Sequence, residues 1–595
     1  MKKVSTVTAP VIFDDACKNP SFIHMRKKSK TDSERIIVAI STNGNIVFNG
    51  ESYTPLEDFM YKNKGSEALH MVLTDRELLI IKEFAVRYNV MIRSIESYYP
   101  FLSGIKYHDD VGINLRNLLK SLRYAKSLGL KNQPFAKTVT KDFRNTLLRK
   151  LHKKSEYDSK FYFSYSEPYQ EVFRFRETRK DRIVVALDFN SMFSSCIKGD
   201  FVDPRKLEFI SINDQYDGKE LPQGLYRVVL QNPTSSFIKK YHLFRLTKDF
   251  KRYSFSLLGI KEIEATLHKE EVEYYYKHFS SIWIKNGYIS KNSIGHPLFK
   301  KSIDLYKKRL RSKLQGKKTL EKKYKLELAM IHSITNSKSF KSRNFKNTNE
   351  VSTFLKKEFD IELDFSKEAA VRKLFKHSHF SLTQSAKGFT LRYVDTYSRD
   401  SVYSLSSQVM AKVRLKMLTL LEEVLDIGGV ELCYVNTDCV HVSFPKTLEE
   451  EFWEKTQHLI GDELGKLKVE AIADSGYWFD VGRYFLYDEG QVIKFSNSGL
   501  NHRGNSKPFL LTKPIVMHYK SKSFSHVSKI YSHLPNLLTY SKRLSQNNGY
   551  SDFSRFTAEQ ILDSISPAQF EQEERGNSSE TKIDTYYSLM KSKYI

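Results

Sequence analysis

A short apolar run, residues 183–187, sets the tightest limit on the architecture of this chain because it leads directly into Asp188. Continuous aliphatic runs of this length are typical of strands that are buried on both faces at the centre of a sheet. Residues 431–444 predict two further strands joined by a tight turn that contains Asp438, since its Asn-Thr-Asp sequence suits a turn. Each pattern therefore places an aspartate at the end of a β element.

The two aspartates suggest a metal site if the strand and the hairpin are neighbours in one sheet. The carboxylates of Asp188 and Asp438 would then converge and could hold two divalent cations about 3.5–4 Å apart. Such a pair activates a 3′-hydroxyl and stabilises a leaving pyrophosphate. Mg²⁺ is the expected ion, with Mn²⁺ as a substitute, because Mg²⁺ binds through one or two carboxylates plus substrate phosphates. Either aspartate alone is more simply explained as a helix cap or turn residue.

The charge balance predicts a partner. The 595 residues include 96 Lys or Arg and 69 Asp or Glu, a formal net charge of +27, and aromatic residues make up 13%. Lysines release counterions from phosphates and aromatic rings stack on bases, so nucleic acid is the expected partner. The alternative is a basic surface that is merely solvated.

Cysteine usage and hydropathy predict an intracellular protein. The four cysteines form no C-x-x-C pair, which indicates neither a zinc cluster nor a disulfide framework. No apolar run approaches about 18 residues, and the first residues contain no continuous apolar core. We therefore expect no transmembrane helix, no membrane partner and no signal peptide, and a location in cytoplasm or an organelle matrix.

Periodicity elsewhere predicts an α/β multidomain protein. Helices are expected over residues 75–88, 114–130, 261–282, 299–333 and 404–426, with helical patches near 557–565 and 581–592. The highly charged segment 139–182 is expected to join two domains.

Both aspartate motifs resemble those of a known family, the family B DNA polymerases, and within it the compact protein-primed branch of phages and linear plasmids. The sequence from Asp188 is similar to motif A, D-x-x-S-L-Y-P-S, and the sequence around Asp438 is similar to motif C, Y-x-D-T-D-S. The resemblance implies that these two residues are catalytic metal ligands, together with the backbone carbonyl of Phe189. Asn436 replaces the first Asp of motif C, which implies altered rather than abolished activity.

The residues that follow Asp188 match the nucleotide-facing part of motif A. The resemblance implies that Ser191, Met192 and Phe193 bind the incoming nucleotide. Phe193 stands where the family has a sugar-stacking Tyr. A ring beneath the sugar excludes a 2′-hydroxyl by its volume, so we expect selection of deoxynucleotides to survive.

Motif B, K-x-x-x-N-S-x-Y-G, is the poorest match. Aligning Asn336 with the Asn of motif B puts His332 at the lysine that should grip the triphosphate, and aligning His332 there instead puts Leu328 at that lysine. In either alignment the lysine is missing from its expected place. Lys318, Lys322 and Lys325 share one helical face just upstream, and we expect one of them to substitute and the group to bind nucleotide. The alternative is that this face binds DNA phosphate or is solvated.

A segment after motif C resembles the family's K-x-Y region, which steadies the primer end. Arg483 stands for the Lys and Phe485 for the Tyr, and an Arg can hold the phosphate there. The resemblance implies primer or DNA contacts from both, from Lys494, and from Tyr434 and Thr437 of motif C.

The amino-terminal part resembles the family's 3′–5′ exonuclease only faintly. Asp14 lies where a D-x-E motif would be, with Ala16 at the Glu, Asp75 lies near the second motif, and Asp110 lies in a region like the third. A two-metal site that lacks a bridging carboxylate should hydrolyse poorly. We therefore expect a ribonuclease H-like, exonuclease-type domain with weak or no proofreading. The alternative is that these acids are ordinary surface residues.

The resemblance implies a right-hand polymerase with palm, fingers and thumb behind that amino-terminal domain. The implied segments are the exonuclease-like domain 1–180, palm 181–262, first insertion 263–298, fingers 299–345, second insertion 346–395, palm 396–500 and thumb 501–595. In the family, the first insertion contacts the terminal protein or the DNA, and the second encloses the template path.

The expected function is a DNA-directed DNA polymerase that replicates a viral or linear-plasmid genome. Its implied partners are template and primer DNA, deoxynucleoside triphosphates and a terminal protein whose hydroxyl is the first primer. One alternative is a reverse transcriptase, although the usual Y-x-D-D turn of those enzymes has adjacent acids that this chain lacks. Another is a nucleic-acid-binding protein on a catalytically decayed polymerase scaffold.

Overall fold

The computed structural model confirms a mixed α/β protein of more than one domain. It describes residues 38–40, 46–65, 70–102, 105, 108–130, 134–151, 153–163, 168–174, 176–240, 243–248, 251–256, 261–336, 339–359, 361–375, 380–385, 388–395, 401–480, 482–489, 491–497 and 550–551. These residues divide into two compact units. The first comprises the residues up to Lys150 together with Lys300–Ile334, and the second comprises Leu151–Phe299 together with the residues from Thr335 onward. The division after Lys150 falls inside the charged segment 139–182.

The first unit combines short strands with longer helices. Ala39–Ile40, Ile46–Phe48 and Tyr53–Pro55 form an antiparallel sheet, and His70–Val72 pairs in parallel with Ile92–Ser94. Its helices are Leu56–Lys62, Asp75–Arg87, Ile95–Tyr98, Val111–Ser127, Phe135–Lys150, Phe299–Leu314 and Lys318–Thr335. Apolar residues of the strands and of the helix Asp75–Arg87 form its core, including Val38, Val72, Leu78, Ile81 and Ile92.

The single helix expected over residues 299–333 is in fact two helices. Phe299–Leu314 ends before Gly316, and Lys318–Thr335 begins after it. Gly316 has a φ of 64°, in the left-handed region that glycine adopts without the steric cost of a Cβ atom. The glycine therefore separates two helices that the uniform helix propensity of this stretch had merged.

A five-stranded antiparallel sheet, the central sheet, organises the second unit. Its strands lie in the order Leu467–Ala473, Arg182–Phe189, Cys439–Pro445, Glu431–Asn436 and Gln170–Val172. The strand Arg182–Phe189, the central strand, has neighbours on both sides, and Val184 to Leu187 are fully buried. Burying each such side chain is worth roughly 1.5–3 kcal/mol for the larger aliphatic residues. The prediction of a buried strand at this position is confirmed.

Further sheets and several helices complete the described part of the second unit. One sheet has the strand order Gln491–Asn497, Arg483–Asp488, Ser475–Asp480, Arg176–Glu177. A second has the order Glu208–Gln215, Phe279–Ser290, Gln223–Pro233, Glu262–His268. A third has the order Phe340–Phe345, Gly388–Val394, Phe380–Ser385. Smaller groups pair Asp200–Val202 with Ser293–Gly295, and Leu243–Lys248 with Lys251–Ser256 and Tyr550–Ser551. The helices are Lys160–Phe163, Met192–Ser195, Ser235–Lys240, Lys269–Tyr275, Thr348–Phe359, Glu368–Phe375, Tyr403–Leu425 and Glu449–Thr456.

The long helix Tyr403–Leu425 is fixed at its start by a remote acid. The buried carboxylate of Asp158 accepts the backbone N–H groups of Tyr403 and Ser404, at 3.1 and 3.0 Å, and the Ser404 hydroxyl at 2.6 Å. It thereby satisfies donors that a helix start leaves without partners. The helix expected over 404–426 is confirmed.

The helix expected over residues 261–282 is wrong in large part. The chain forms the strand Glu262–His268, the short helix Lys269–Tyr275 and the strand Phe279–Ser290. Residues 262–268 alternate between exposed and buried positions, which is the period of a strand with one face on the core. The alternation overrides the helix propensity of the glutamates.

Residues 340–394 form a small module with its own core. The sheet Phe340–Phe345, Gly388–Val394, Phe380–Ser385 packs against the helices Thr348–Phe359 and Glu368–Phe375. This stretch contains most of the expected second insertion, whose role stays a prediction. The expected thumb, 501–595, and the helical patches within it lie outside the described residues, apart from Tyr550–Ser551. None of the described helices is both long and apolar enough to cross a bilayer.

Candidate functional site

The two aspartates singled out by the sequence lie at one edge of the central sheet. In the pairing of the central strand with Cys439–Pro445, Asp188 lies opposite Cys439. Asp438 precedes Cys439 in the hairpin turn, and its carbonyl oxygen accepts the backbone N–H of Phe189 at 2.8 Å. The strand end and the hairpin tip are therefore direct neighbours, as the metal-site hypothesis requires.

The thiol of Cys439 reports on the charges around it. Burial raises its pKa, the carboxylates of Asp188 and Asp438 raise it further, and the ammonium groups of Lys494 and Lys468 oppose them. Asp188 lies opposite Cys439 in the strand pairing and Asp438 precedes it in the chain, so the backbone places all three residues in one region at the sheet edge. Two lysines share that region with them.

Unusual backbone conformations flank both acids. Ser191, just after the central strand, has a φ of 52°, and Thr437, beside Asp438, has a φ of 61°. Non-glycine residues seldom adopt positive φ, and a β-branched threonine there is strained. The backbone N–H of Thr437 donates to Tyr169 at 2.8 Å and its hydroxyl accepts from Gln170 at 3.2 Å, so neighbouring residues hold the turn in place. Strain of this kind clusters at functional sites.

A chain of alternating charges runs from Asp188 across the neighbouring strands. Lys468 lies opposite Asp188 on the strand Leu467–Ala473, and its ammonium donates to the Asp188 carboxylate at 3.0 Å. The same ammonium pairs with Glu470, and Glu470 also pairs with Lys494 of the strand Gln491–Asn497. Burial lowers the pKa of Lys494, while Cys439 and Asp188 raise it.

The donor set at this edge suits a cation of the Mg²⁺ type. Asp188 and Asp438 would supply carboxylates, and Phe189 would supply a backbone carbonyl at the strand end. The ammonium of Lys468, held between two carboxylates, shows that the edge accommodates a positive charge. Among the described residues, no group of three or more His, Cys, Asp or Glu side chains could hold a metal ion. A Mg²⁺ ion here would complete its coordination with water and substrate phosphates, as Mg²⁺ commonly does.

The expected nucleotide-binding residues surround the short helix Met192–Ser195. Ser191 and Phe193 are half-buried, whereas the Met192 side chain is fully buried. A nucleotide contact from Met192 would therefore have to come from its backbone. Binding by Ser191 and Phe193 stays a prediction.

The residues expected to contact primer or DNA lie in different surroundings in the structure. Tyr434 is fully buried, and its hydroxyl accepts the backbone N–H of Gly482 at 2.7 Å, so its ring would have to leave the core to reach DNA. Arg483 and Phe485 lie on the strand Arg483–Asp488, and their side chains lie outside what the structure describes. Lys494 is ion-paired with Glu470, which also pairs with Lys468 beside Asp188.

The three candidate triphosphate lysines belong to the first unit. Lys318, Lys322 and Lys325 lie on the helix Lys318–Thr335, at the helical spacing expected for a shared face. Lys318 and Lys325 are exposed and Lys322 is half-buried. Asn336, just after this helix, has a buried side-chain oxygen with no hydrogen-bond partner among the described residues. Nucleotide binding by these four residues stays a prediction.

The proposed exonuclease acids are not brought into a described cluster. Asp14 lies outside the described residues. Asp75 is the first residue of the helix Asp75–Arg87, and Asp110 caps the helix Val111–Ser127 by accepting the N–H groups of Gly112 and Ile113 at 2.7 and 3.3 Å. Helix capping accounts for Asp110 without any metal. An exonuclease role for these residues stays a prediction.

Sequence reasoning missed Lys468 and Glu470. Their spacing of two in the strand Leu467–Ala473 suggests a shared face under regular alternation, but the pairing shifts register between Val469 and Ala471, so alternation alone does not place Glu470. Nothing in that local pattern reveals that this strand pairs with the central strand beside Asp188, which is a property of the tertiary fold.

Comparison with known proteins gives structural neighbours only. No protein-family model and no curated protein matches the chain. Phi29 DNA polymerase in complex with primer-template DNA and incoming nucleotide substrates is similar over 69% of this chain and 70% of its own, with 11% identity and a TM-score of 0.45. Its orthorhombic crystal form is similar over 82% and 79%, with 12% identity and a TM-score of 0.44. The family B DNA polymerase from the hyperthermophilic archaeon Pyrobaculum calidifontis is similar over 71% and 42%, with 12% identity and a TM-score of 0.27.

Proposed function

We propose that this chain is a DNA-directed DNA polymerase that adds deoxynucleotides to a 3′-hydroxyl by two-metal phosphoryl transfer. The observation that carries the proposal is the placement of Asp188 and Asp438 at one edge of the central sheet, with the backbone of Phe189 bonded to that of Asp438. Both acids belong to segments whose sequences resemble motifs A and C of family B polymerases. The net charge of +27 suits a nucleic-acid partner.

The residues of this edge have distinct roles in the proposed reaction. Asp188, Asp438 and the carbonyl of Phe189 would hold two Mg²⁺ ions, which supply activation of the 3′-hydroxyl and stabilisation of the leaving pyrophosphate. The sheet holds the acids in place, which matters because phosphoryl transfer depends mainly on positioning and charge stabilisation. Phe193 would lie against the sugar and exclude a 2′-hydroxyl.

The resemblance also supports a more specific proposal. The chain would replicate a viral or linear-plasmid genome and would start on the hydroxyl of a terminal protein. Template and primer DNA and deoxynucleoside triphosphates would be the other partners.

Primer extension on a single-stranded DNA template tests the proposal. We expect template-dependent extension with Mg²⁺ or Mn²⁺ and none when the metal is chelated. Extension on an RNA template in preference to DNA would favour the reverse transcriptase alternative. No extension on either template, together with retained DNA binding, would contradict the polymerase proposal.

One observation favours the second candidate, a nucleic-acid-binding protein on a decayed polymerase scaffold. The carboxylate of Asp188 is already paired with Lys468, an arrangement that could compete with a catalytic metal. Asn436 in place of an acid points the same way. Metal-dependent incorporation by the wild-type chain separates the two candidates.

A further inference from the structure

The ammonium of Lys468 lies where a metal bound to Asp188 would compete with it. Its Nζ is 3.0 Å from Oδ2 of Asp188, and it pairs with Glu470 at the same time. Lys468 and Glu470 lie two residues apart on the strand Leu467–Ala473, whose pairing with the central strand shifts register between Val469 and Ala471. The Lys468 ammonium can therefore pair with the Asp188 carboxylate, the Glu470 carboxylate or both.

A divalent cation bound to Asp188 would favour pairing of the Lys468 ammonium with Glu470 alone. An ammonium and a metal on the same carboxylate repel each other strongly at contact distances. Lysine carries its charge on a flexible four-carbon stem, and the Lys468 side chain is 41% exposed. It can therefore leave Asp188 without disturbing the core, and Glu470 already lies within reach to receive it.

The second lysine of the network is placed differently. Lys494 pairs with the same Glu470, but its side chain is only 18% exposed. Its position near Glu470 is thus more firmly set by packing. The more exposed Lys468 is the one that can move, while Lys494 stays paired with Glu470.

We propose that Lys468 is a built-in competitor for the metal site, an ammonium that neutralises Asp188 until a divalent cation displaces it onto Glu470. The proposal rests on the proposed function, because it assumes that Asp188 is a metal ligand. Lys468 and Glu470 are then positioning residues that set the metal affinity without being ligands themselves. The competitor would keep the acids compensated when no metal is bound and would weaken metal binding in the resting protein.

Mn²⁺ binding to the full-length protein, without DNA or nucleotide, tests this directly through the electron paramagnetic resonance signal of free Mn²⁺. Replacing Lys468 with methionine keeps the stem and removes the charge, so we expect tighter Mn²⁺ binding, by about tenfold, the lower end of what outer-shell changes do to metal affinity. Lys468→Arg keeps the charge and should not tighten binding. Lys291→Met, which removes an exposed lysine paired with Glu208 at 3.3 Å, is the matched control and should leave the affinity unchanged.

Glu470→Gln separates the proposed role from direct metal ligation. Without its second carboxylate, Lys468 should pair more fully with Asp188, and Mn²⁺ binding should weaken. In the Lys468→Met background the same change should have no effect. A loss of Mn²⁺ affinity in both backgrounds would mean that Glu470 is itself a ligand and would overturn the proposal.

Asp188→Asn in the Lys468→Met background distinguishes failure of this inference from failure of the proposed function. If Mn²⁺ binding does not depend on Asp188 at all, both the metal site and the inference are wrong. If binding depends on Asp188 but Lys468→Met does not tighten it, or Lys468→Arg tightens it equally, only the competitor role is overturned. Tighter binding in Lys468→Met alone supports it.

Discussion

The backbone N–H of Phe189 donates to the carbonyl oxygen of Asp438 at 2.8 Å, and this bond joins the end of the central strand to the hairpin turn. Main-chain pairing thus brings the two candidate metal ligands to the same edge of the sheet. Substitutions of the Asp188 or Asp438 side chain should therefore preserve the main-chain pairing at this edge, although Asp188→Asn also removes the charge that pairs with Lys468. A loss of activity in such variants can then be attributed to the loss of the carboxylate rather than to a change in the main-chain fold.

Glu271→Gln should strongly destabilise the second unit. Arg414 on the long helix donates to Glu271 at 2.7 and 2.9 Å, and both side chains are almost completely buried. Removing one partner of a buried pair leaves an uncompensated charge and costs about 3–5 kcal/mol. Urea denaturation measures the loss. Glu208→Gln, at the exposed pair with Lys291, should cost less than about 1 kcal/mol, and equal losses in the two variants would contradict this account.

The second unit should lose stability in acid partly through His441. Burial lowers the pKa of His441 to about 3, from 6.5 for an unperturbed histidine, and its Nδ1 accepts the indole N–H of Trp478 at 2.8 Å. Between these two pH values the unfolded chain binds a proton at this residue and the folded chain does not. The contribution of His441 to the free energy of unfolding is therefore complete above pH 6.5. It falls as the pH drops below that value, by up to about 1.4 kcal/mol per pH unit.

His441→Phe should flatten that dependence. The comparison is the difference in urea midpoint between pH 7.5 and pH 5, measured for the variant and for the wild type. His458→Phe, at a side chain that is 64% exposed, is the matched control. An unchanged slope in His441→Phe would show that other groups cause the acid sensitivity.

Phe193→Ala should relax sugar selection. Removing the ring removes the volume that excludes a 2′-hydroxyl, so ribonucleotide incorporation relative to deoxynucleotide incorporation should rise by on the order of tenfold or more. Phe193→Tyr keeps the ring and should keep the selectivity. Competition between the two nucleotide types in single-nucleotide extension measures the ratio, and an unchanged ratio in the alanine variant would dismiss the role.

The lysines of the helix Lys318–Thr335 can be assigned by two measurements on each alanine variant. Loss of the triphosphate-binding lysine among Lys318, Lys322 and Lys325 should raise KM for nucleotide and leave the salt dependence of DNA binding unchanged. A lysine that instead binds DNA phosphate should lower the slope of log Kd against log salt by about one. If none of the three variants raises KM, the triphosphate assignment is wrong.

The parts of the fold that were predictable are those with strong local patterns. The central strand was predictable because its continuous apolar run admits few other placements, and the helix Tyr403–Leu425 because of its long periodic face. Where a stretch carries signals for two different structures, the less conspicuous signal was missed. Residues 262–268 follow strand alternation despite their glutamates, and Gly316 divides a stretch of uniform helix propensity.

The candidate site was only half predictable for a physical reason. Asp188 and Asp438 stand at the ends of recognisable β elements, so their roles could be proposed from sequence. Lys468 and Glu470 matter only because their strand pairs with the central strand and places Lys468 opposite Asp188, which no local pattern specifies. The left-handed residue of the turn is Thr437 rather than Asn436 or Asp438, because tertiary hydrogen bonds hold the threonine there.

Single-turnover incorporation of one nucleotide by Asp188→Asn and Asp438→Asn tests the central claim most directly. Asp181→Asn is the matched control, since Asp181 is an exposed acid just before the opposite end of the central strand. Each of the first two variants should lower the rate by several orders of magnitude with DNA binding retained, because each removes a metal ligand, and the control variant should not. Near wild-type rates in Asp188→Asn or Asp438→Asn would contradict this claim.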